Sequence, residues 1–146
     1  CAMKTVRQLL QGKGSQVSTI APGATAYDVM QLMAEKNIGA LLVFDGKSLV
    51  GIVSERDIAR KIYLLEQPAR QIPVSEIMTK QVICVGPDRT SEECMALMTE
   101  KRIRHLPVLE DGRVVGIISI GDLVKDTISE QRFIIEQLEQ YIKGER

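Results

Sequence analysis

One block of sequence is written twice. Residues 17–61 align with residues 82–126 without a gap, at a constant offset of 65, and sixteen of the forty-five positions are identical. Self-similarity at a fixed period constrains a fold more than composition does. Two copies are too few for a solenoid, so the chain reads as two similar subdomains sharing one core. The clearest piece is GIVSERD at 51–57, rewritten as GIISIGD at 116–122.

Each copy carries the same signals in the same order. A short apolar strand comes first, VSTI at 17–20 and VICV at 82–85, followed by a turn at Pro22 or Pro87. Thr25 with Asp28, and Thr90 with Glu93, place a hydroxyl at the N-cap and a carboxylate at N3, the pattern of a capping box. Val29, Met30 and Met33, and in the second copy Cys94, Met95 and Met98, follow at helical spacing. The run IGALLVF at 38–44 reads as a strand covered on both faces. Asp45-Gly46 and Asp111-Gly112 signal hairpins into strands at 49–54 and 114–120. Amphipathic helices are expected at 55–67 and 121–128.

The unit is therefore β-α-β-β-α, and the fold class α/β (α+β), with pseudo-two-fold symmetry between copies. The expected organisation is a helix and linker at 1–16, a first repeat at 17–66, a linker at 67–81, a second repeat at 82–128 and a separate amphipathic helix at 129–146. Ile128, Ile135, Leu138 and Ile142 form an apolar stripe that should dock on the body or on a partner chain.

Composition excludes several functions. Nineteen basic residues balance nineteen acidic ones, and there are two Phe, three Tyr and no Trp, which argues against nucleic-acid binding. No apolar run is long enough to span a bilayer. Cys1, Cys84 and Cys94 lack metal-ligand spacing, so no metal is expected; free thiols fit a reducing cytoplasm. Cys1-Ala2 ahead of Met3 reads as a remnant rather than a native start. No nucleophile–base pair or catalytic carboxylate pair stands out, so the chain reads as a non-enzyme with no catalytic cofactor.

The tandem unit, the stretch RIRHLPVLEDGRVVGIISIGDL at 102–123 and the doubled G-h-h-S-x-x-D (h, apolar) together resemble a cystathionine-β-synthase (CBS) domain pair, or Bateman module. The first copy departs in one place, with ALLVF at 40–44 where the second has HLPVL at 105–109. The resemblance is to short stand-alone bacterial members. It implies a homodimeric sensor that binds AMP, ATP or NAD(H) in clefts between the copies and acts on a separate partner protein. It also implies that each cleft takes its ribose-binding Asp from one copy and its adenine walls from the other. The first site would then use Ser54 and Asp57, with walls from Lys80, Gln81, Val82, Ile103 and Arg104. The second would use Ser119 and Asp122, with walls from Gln16, Val17, Ile38, Gly39 and Ala40.

The residue chemistry suits such a ligand. A ribose offers two neighbouring hydroxyl donors, and one ionised carboxylate accepts from both. Asp57 and Asp122 follow a strand and open a helix, where Ser54 and Ser119 are natural caps and free N–H groups favour an anion. The same S-x-x-D is also an ordinary capping box, and the two roles are compatible. Phosphates would be drawn to Arg56, Arg102, Arg104 and His105. The basic stretch at 101–105 makes the first site the tighter one expected. Gly51 and Gly116 read as strand positions that another backbone approaches closely. GKGS at 12–15 reads as linker. The competing function is a constitutive dimerisation module with vestigial clefts.

Overall fold

The computed structural model describes residues 4–14 and 16–142, with side chains to residue 140. They fall into two compact units. One is the continuous stretch 16–83. The other joins the start of the chain, up to residue 14, to the stretch from 84 onward.

In the first-copy unit β1 (Thr19–Ile20) runs parallel to β2 (Ala40–Asp45), which pairs antiparallel with β3 (Ser48–Ser54). Ala40, Leu41, Leu42 and Val43 are consecutive and all buried, as a strand covered on both faces requires. The helix α2 (Ala26–Lys36) starts in the expected capping box of Thr25 and Asp28 and ends on Asn37 in the left-handed region. Its Val29 and Met33 meet Leu41, Val43 and Val53 in the core. After β3 the chain turns through α3 (Glu55–Asp57), a π turn (Ile58–Ile62) and α4 (Tyr63–Leu65).

The segment 67–81 is more than a tether. It holds a 3₁₀ turn (Ala69–Gln71) and α5 (Val74–Ile77), and it buries Ile72, Val74 and Ile77 completely in the first-copy core. Ala26 N–H donates to Ile72 O at 2.8 Å and Val74 N–H to Ala24 O at 2.7 Å.

The second-copy unit repeats this plan with a different supplier. Here α1 (Val6–Lys13) does the work of the segment 72–81. Val6 N–H donates to Arg89 O and Ser91 N–H to Lys4 O, both at 2.8 Å. Val6 and Leu10 are buried, and Thr5 with Gln8 closes a capping box. Ion pairs hold this arm: Lys4 to Asp126 at 2.7 Å, Arg7 to Glu110 at 2.6 Å and to Asp88 at 3.6 Å, and Lys13 to Asp122 at 2.6 Å. The helix α6 (Ser91–Lys101) and the hairpin of β4 (His105–Glu110) and β5 (Arg113–Ser119) match α2, β2 and β3.

Three expectations need correction. VICV at 82–85 forms no strand; Val85 alone bridges Val108. In the first copy Leu42 N–H donates to Ser18 O at 3.1 Å. The residue corresponding to Leu42 is Pro107, which has no N–H, so that rung of the ladder cannot form. The helix at 121–128 and the tail are not separate: α7 (Ile120–Ile142) is continuous, because residues 122–142 contain neither Gly nor Pro. The part of the expected tail helix at 143–146 lies outside the described residues. Finally, the first hairpin turns at Gly46-Lys47 rather than Asp45-Gly46, since Asp45 pairs with Ser48. Its second-copy counterpart is Asp111-Gly112, with φ of 53° and 76°. Gly46 alone is left-handed in the first hairpin, giving primed turns of the two kinds that suit strand twist.

Candidate ligand-binding cradles

At the end of β3, Ser54 caps the helix that follows and Asp57 folds back onto it. Asp57 Oδ2 accepts the Ser54 N–H at 2.9 Å and the Ser54 hydroxyl at 3.1 Å, while Asp57 N–H lies 3.3 Å from Ser54 Oγ. Asp57 Oδ1 accepts from Thr79 Oγ1 at 3.2 Å and faces Lys61 Nζ at 3.3 Å. Lys61 is itself fixed by Ile77 O at 3.0 Å. Asp57 keeps 15% of its side chain exposed, so an outside donor can still reach it.

Asp122 repeats the geometry at the start of α7. Its Oδ2 accepts the Ser119 N–H at 2.8 Å, and its own N–H donates to Ser119 Oγ at 3.1 Å. The cation differs. Lys13 Nζ, from the end of α1, donates to Asp122 Oδ2 at 2.6 Å and to Ile117 O at 2.7 Å. Burial pushes the Asp122 carboxyl up, but the Lys13 and Ser119 hydrogen bonds outweigh it, and the pKa lies below the ordinary carboxylate value.

Both glycines of the repeated heptapeptide sit where space demands them. A Cβ on Gly51 would stand 2.6 Å from Met78 Sδ and 3.1 Å from Thr79 O; one on Gly116 would stand 2.6 Å from Leu10 Cδ2. The crossing segments that crowd these glycines also deliver Thr79 and Lys13 to the carboxylates.

The remaining predicted site residues distribute as follows. In the first-copy unit Gly39 O accepts Glu55 N–H at 3.0 Å, and Ala40 pairs with Ser54, so both adjoin the cradle of their own copy. In the second-copy unit Arg104 O accepts Ile120 N–H at 2.8 Å and His105 pairs with Ser119, so the basic stretch adjoins Asp122 within that unit. Arg102 is the left-handed cap of α6, and Ile103 N–H donates to Met98 O at 3.0 Å. Lys80, Gln81 and Gln16 are exposed; Val17, Ile38, Val82 and Arg56 are half-buried. Sequence reading missed Thr79, Lys61 and Lys13. Thr5-Val6 and Leu10 correspond to Pro73-Val74 and Met78 at an offset of 68, but that offset sets Thr79 against Gln11 and Lys13 against Gln81, so it points to neither carboxylate partner.

Among the described residues no group of three or more His, Cys, Asp or Glu could hold a metal ion, and no helix is long and apolar enough to cross a membrane.

The CBS domain model matches twice, at residues 14–64 and 74–128. The chain belongs to the CBS-domain family, as a tandem pair. CBS pairs are regulatory modules. It is 38% identical over 125 residues to the mitochondrial CBS domain-containing protein CBSX3 of Arabidopsis thaliana, a match covering 82% of this chain and 61% of that protein. It thus spans about three-fifths of that relative. A crystal structure of a CBS domain is 57% identical, with a TM-score of 0.84, covering 87% of this chain and 99% of that one. A CBS domain pair solved with 5′-methylthioadenosine and S-adenosyl-L-methionine shares the fold, with a TM-score of 0.78 at 24% identity over 88% of this chain and 99% of that one.

Proposed function

We propose that the chain is a non-catalytic sensor of adenine nucleotides, binding AMP, ATP or NAD(H) at Asp57 and Asp122 and acting on a separate partner protein. The observation that carries this reading is the pair of Ser–Asp caps. Each holds a part-exposed carboxylate rigidly at a strand-to-helix junction, where a ribose diol can donate and helix N–H groups favour phosphate. The other solved pair, with its adenosine compounds, supports the ligand class by fold alone.

In this reading the adenine walls are Lys80, Gln81, Val82, Ile103 and Arg104 for Asp57, and Gln16, Val17, Ile38, Gly39 and Ala40 for Asp122. Arg56, Arg102, Arg104 and His105 take the phosphates. The protein works in the cytoplasm, where Cys84 and Cys94 stay reduced; both are free, and burial pushes both thiols up.

Calorimetric titration of AMP, ATP and NADH into wild type, Asp57→Asn and Asp122→Asn is the test. Loss of two charge-assisted hydrogen bonds at about 1.5–3 kcal/mol each should weaken the affected site at least about tenfold. Equal, negligible losses would return both residues to simple helix caps. A second reading, a constitutive dimerisation module, draws on the open apolar stripe of α7, with Ile128 44%, Ile135 53% and Leu138 57% exposed. It predicts a dimer whose melting temperature ignores nucleotides.

A further inference from the structure

The two cradles are alike in sequence and unlike in what occupies the carboxylate. A ribose diol bound in a two-pronged way needs one acceptor site on each carboxylate oxygen. On Asp57 the Ser54 and Thr79 hydroxyls can turn aside by rotating a single bond, and the Lys61 ammonium stands farther off, 3.3 Å from Oδ1. On Asp122 both donors, the Ser119 N–H and the Lys13 ammonium, sit on Oδ2. The first is fixed main chain. Lys13 is the movable one, and it stands where the second ribose hydroxyl would donate.

Lys13 has a further hold. It donates to Ile117 O at 2.7 Å, whereas the corresponding carbonyl of the first copy, Ile52 O, takes the Thr79 N–H at 2.8 Å. One ammonium therefore replaces both a main-chain rung and a ligand hydroxyl. Lys13 is also the last residue of α1, and Gly14 after it sits at φ 98°, a conformation open to glycine at no steric cost.

Resting on the adenosine reading above, we propose that Lys13 is an internal competitor for the ribose at Asp122. It sets the second cradle's affinity below the first's. Ligand binds there by lifting Lys13 off Oδ2, and the last turn of α1 loosens as it leaves.

The experiment uses the full chain carrying Asp57→Asn, so that AMP reports on the second cradle. Adding Lys13→Met, which keeps the aliphatic stem and removes the charge, should tighten AMP at least about threefold, the scale of a partly exposed ion pair. Lys13→Gln serves as a second variant should Lys13→Met fail to fold. In the protein with Lys13 intact, saturating AMP should speed hydrogen exchange at the amides of residues 10–13. Equal or weaker binding by the Lys13 variants, or unchanged exchange in α1, overturns the competitor while AMP binding that depends on Asp122 leaves the adenosine reading standing. Absence of AMP binding in wild type and every variant overturns the adenosine reading, and the competitor falls with it.

Discussion

Thr79 and Ile52 exchange both main-chain hydrogen bonds, Thr79 N–H to Ile52 O at 2.8 Å and Ile52 N–H to Thr79 O at 3.0 Å. This clasp lays Met78 and Thr79 across Gly51 and points the Thr79 hydroxyl at Asp57. At Gly116 the neighbour is only the branched end of Leu10. Gly51→Ala pushes against backbone and should destabilise by about 1–3 kcal/mol, more than Gly116→Ala. Urea unfolding of the two variants ranks them; the reverse order would mean that the Thr79 clasp yields easily.

Asp126 keeps only 6% of its side chain exposed, and Lys4 is the cation 2.7 Å away. Lys4→Met should leave that carboxylate without its ion-pair partner and cost about 1–3 kcal/mol. Adding Asp126→Leu should recover much of the loss, because an apolar pair spares the desolvation of two charges. Chemical denaturation of the single and double variants measures both. No recovery would show that Asp126 has another task.

The Asp122 carboxyl lies below its ordinary value in the folded protein. A depressed folded pKa adds stability that is fully present above the unfolded value of about 3.9 and is lost as pH falls through the folded one. Asp122→Asn should therefore be less stable than wild type at pH 7, with the gap closing below about pH 4. Urea midpoints at pH 7 and pH 3 are the measurement; a gap that stays constant would remove the ion pair with Lys13 from the account.

The α7 stripe should pack against a second copy of the chain, giving a homodimer. Light scattering at micromolar concentration should report twice the chain mass, and the double variant Ile135→Glu with Leu138→Glu should report the monomer. A wild-type monomer sinks this expectation.

A carboxylate that accepts from both ribose hydroxyls leaves no room for a phosphate on either. NADH should accordingly bind far more tightly than NADPH, whose 2′-phosphate meets Asp57 as a like charge. Side-by-side titration decides it, and equal affinities would take the adenosine ribose away from Asp57.

Much of this was legible in the residues. The capping boxes at Thr25 and Thr90, the backbone approach at Gly51 and the second hairpin turn follow from residue types at local spacing; at Gly116 it is a side chain, Leu10, that comes close, and the first hairpin turns one residue later than Asp45-Gly46 suggests. Pro107 carried its own warning about the missing strand, since it lacks the donor that Leu42 uses. The unbroken α7 was readable from the absence of Gly and Pro between 122 and 142. Lys13 and Thr79 were harder. Each reaches its carboxylate from a segment outside the long repeat, 109 positions from Asp122 and 22 from Asp57 respectively. Hydrophobic periodicity is local, and it is blind to such contacts.

The division of labour between 4–14 and 72–81 also sets an order of assembly. The stretch 16–83 holds every residue of its own core, so it can close while later codons are still being read. The other unit cannot. Its α1 is made before the stretch 16–83 yet finds its place last, because β5 and α7, which it packs on, are made about a hundred residues later. Until β5 and α7 are made, Val6 and Leu10 have no core to enter. A nascent chain stalled before β5 should thus present a folded stretch 16–83 and a bare, sticky α1, the form most open to chaperone capture.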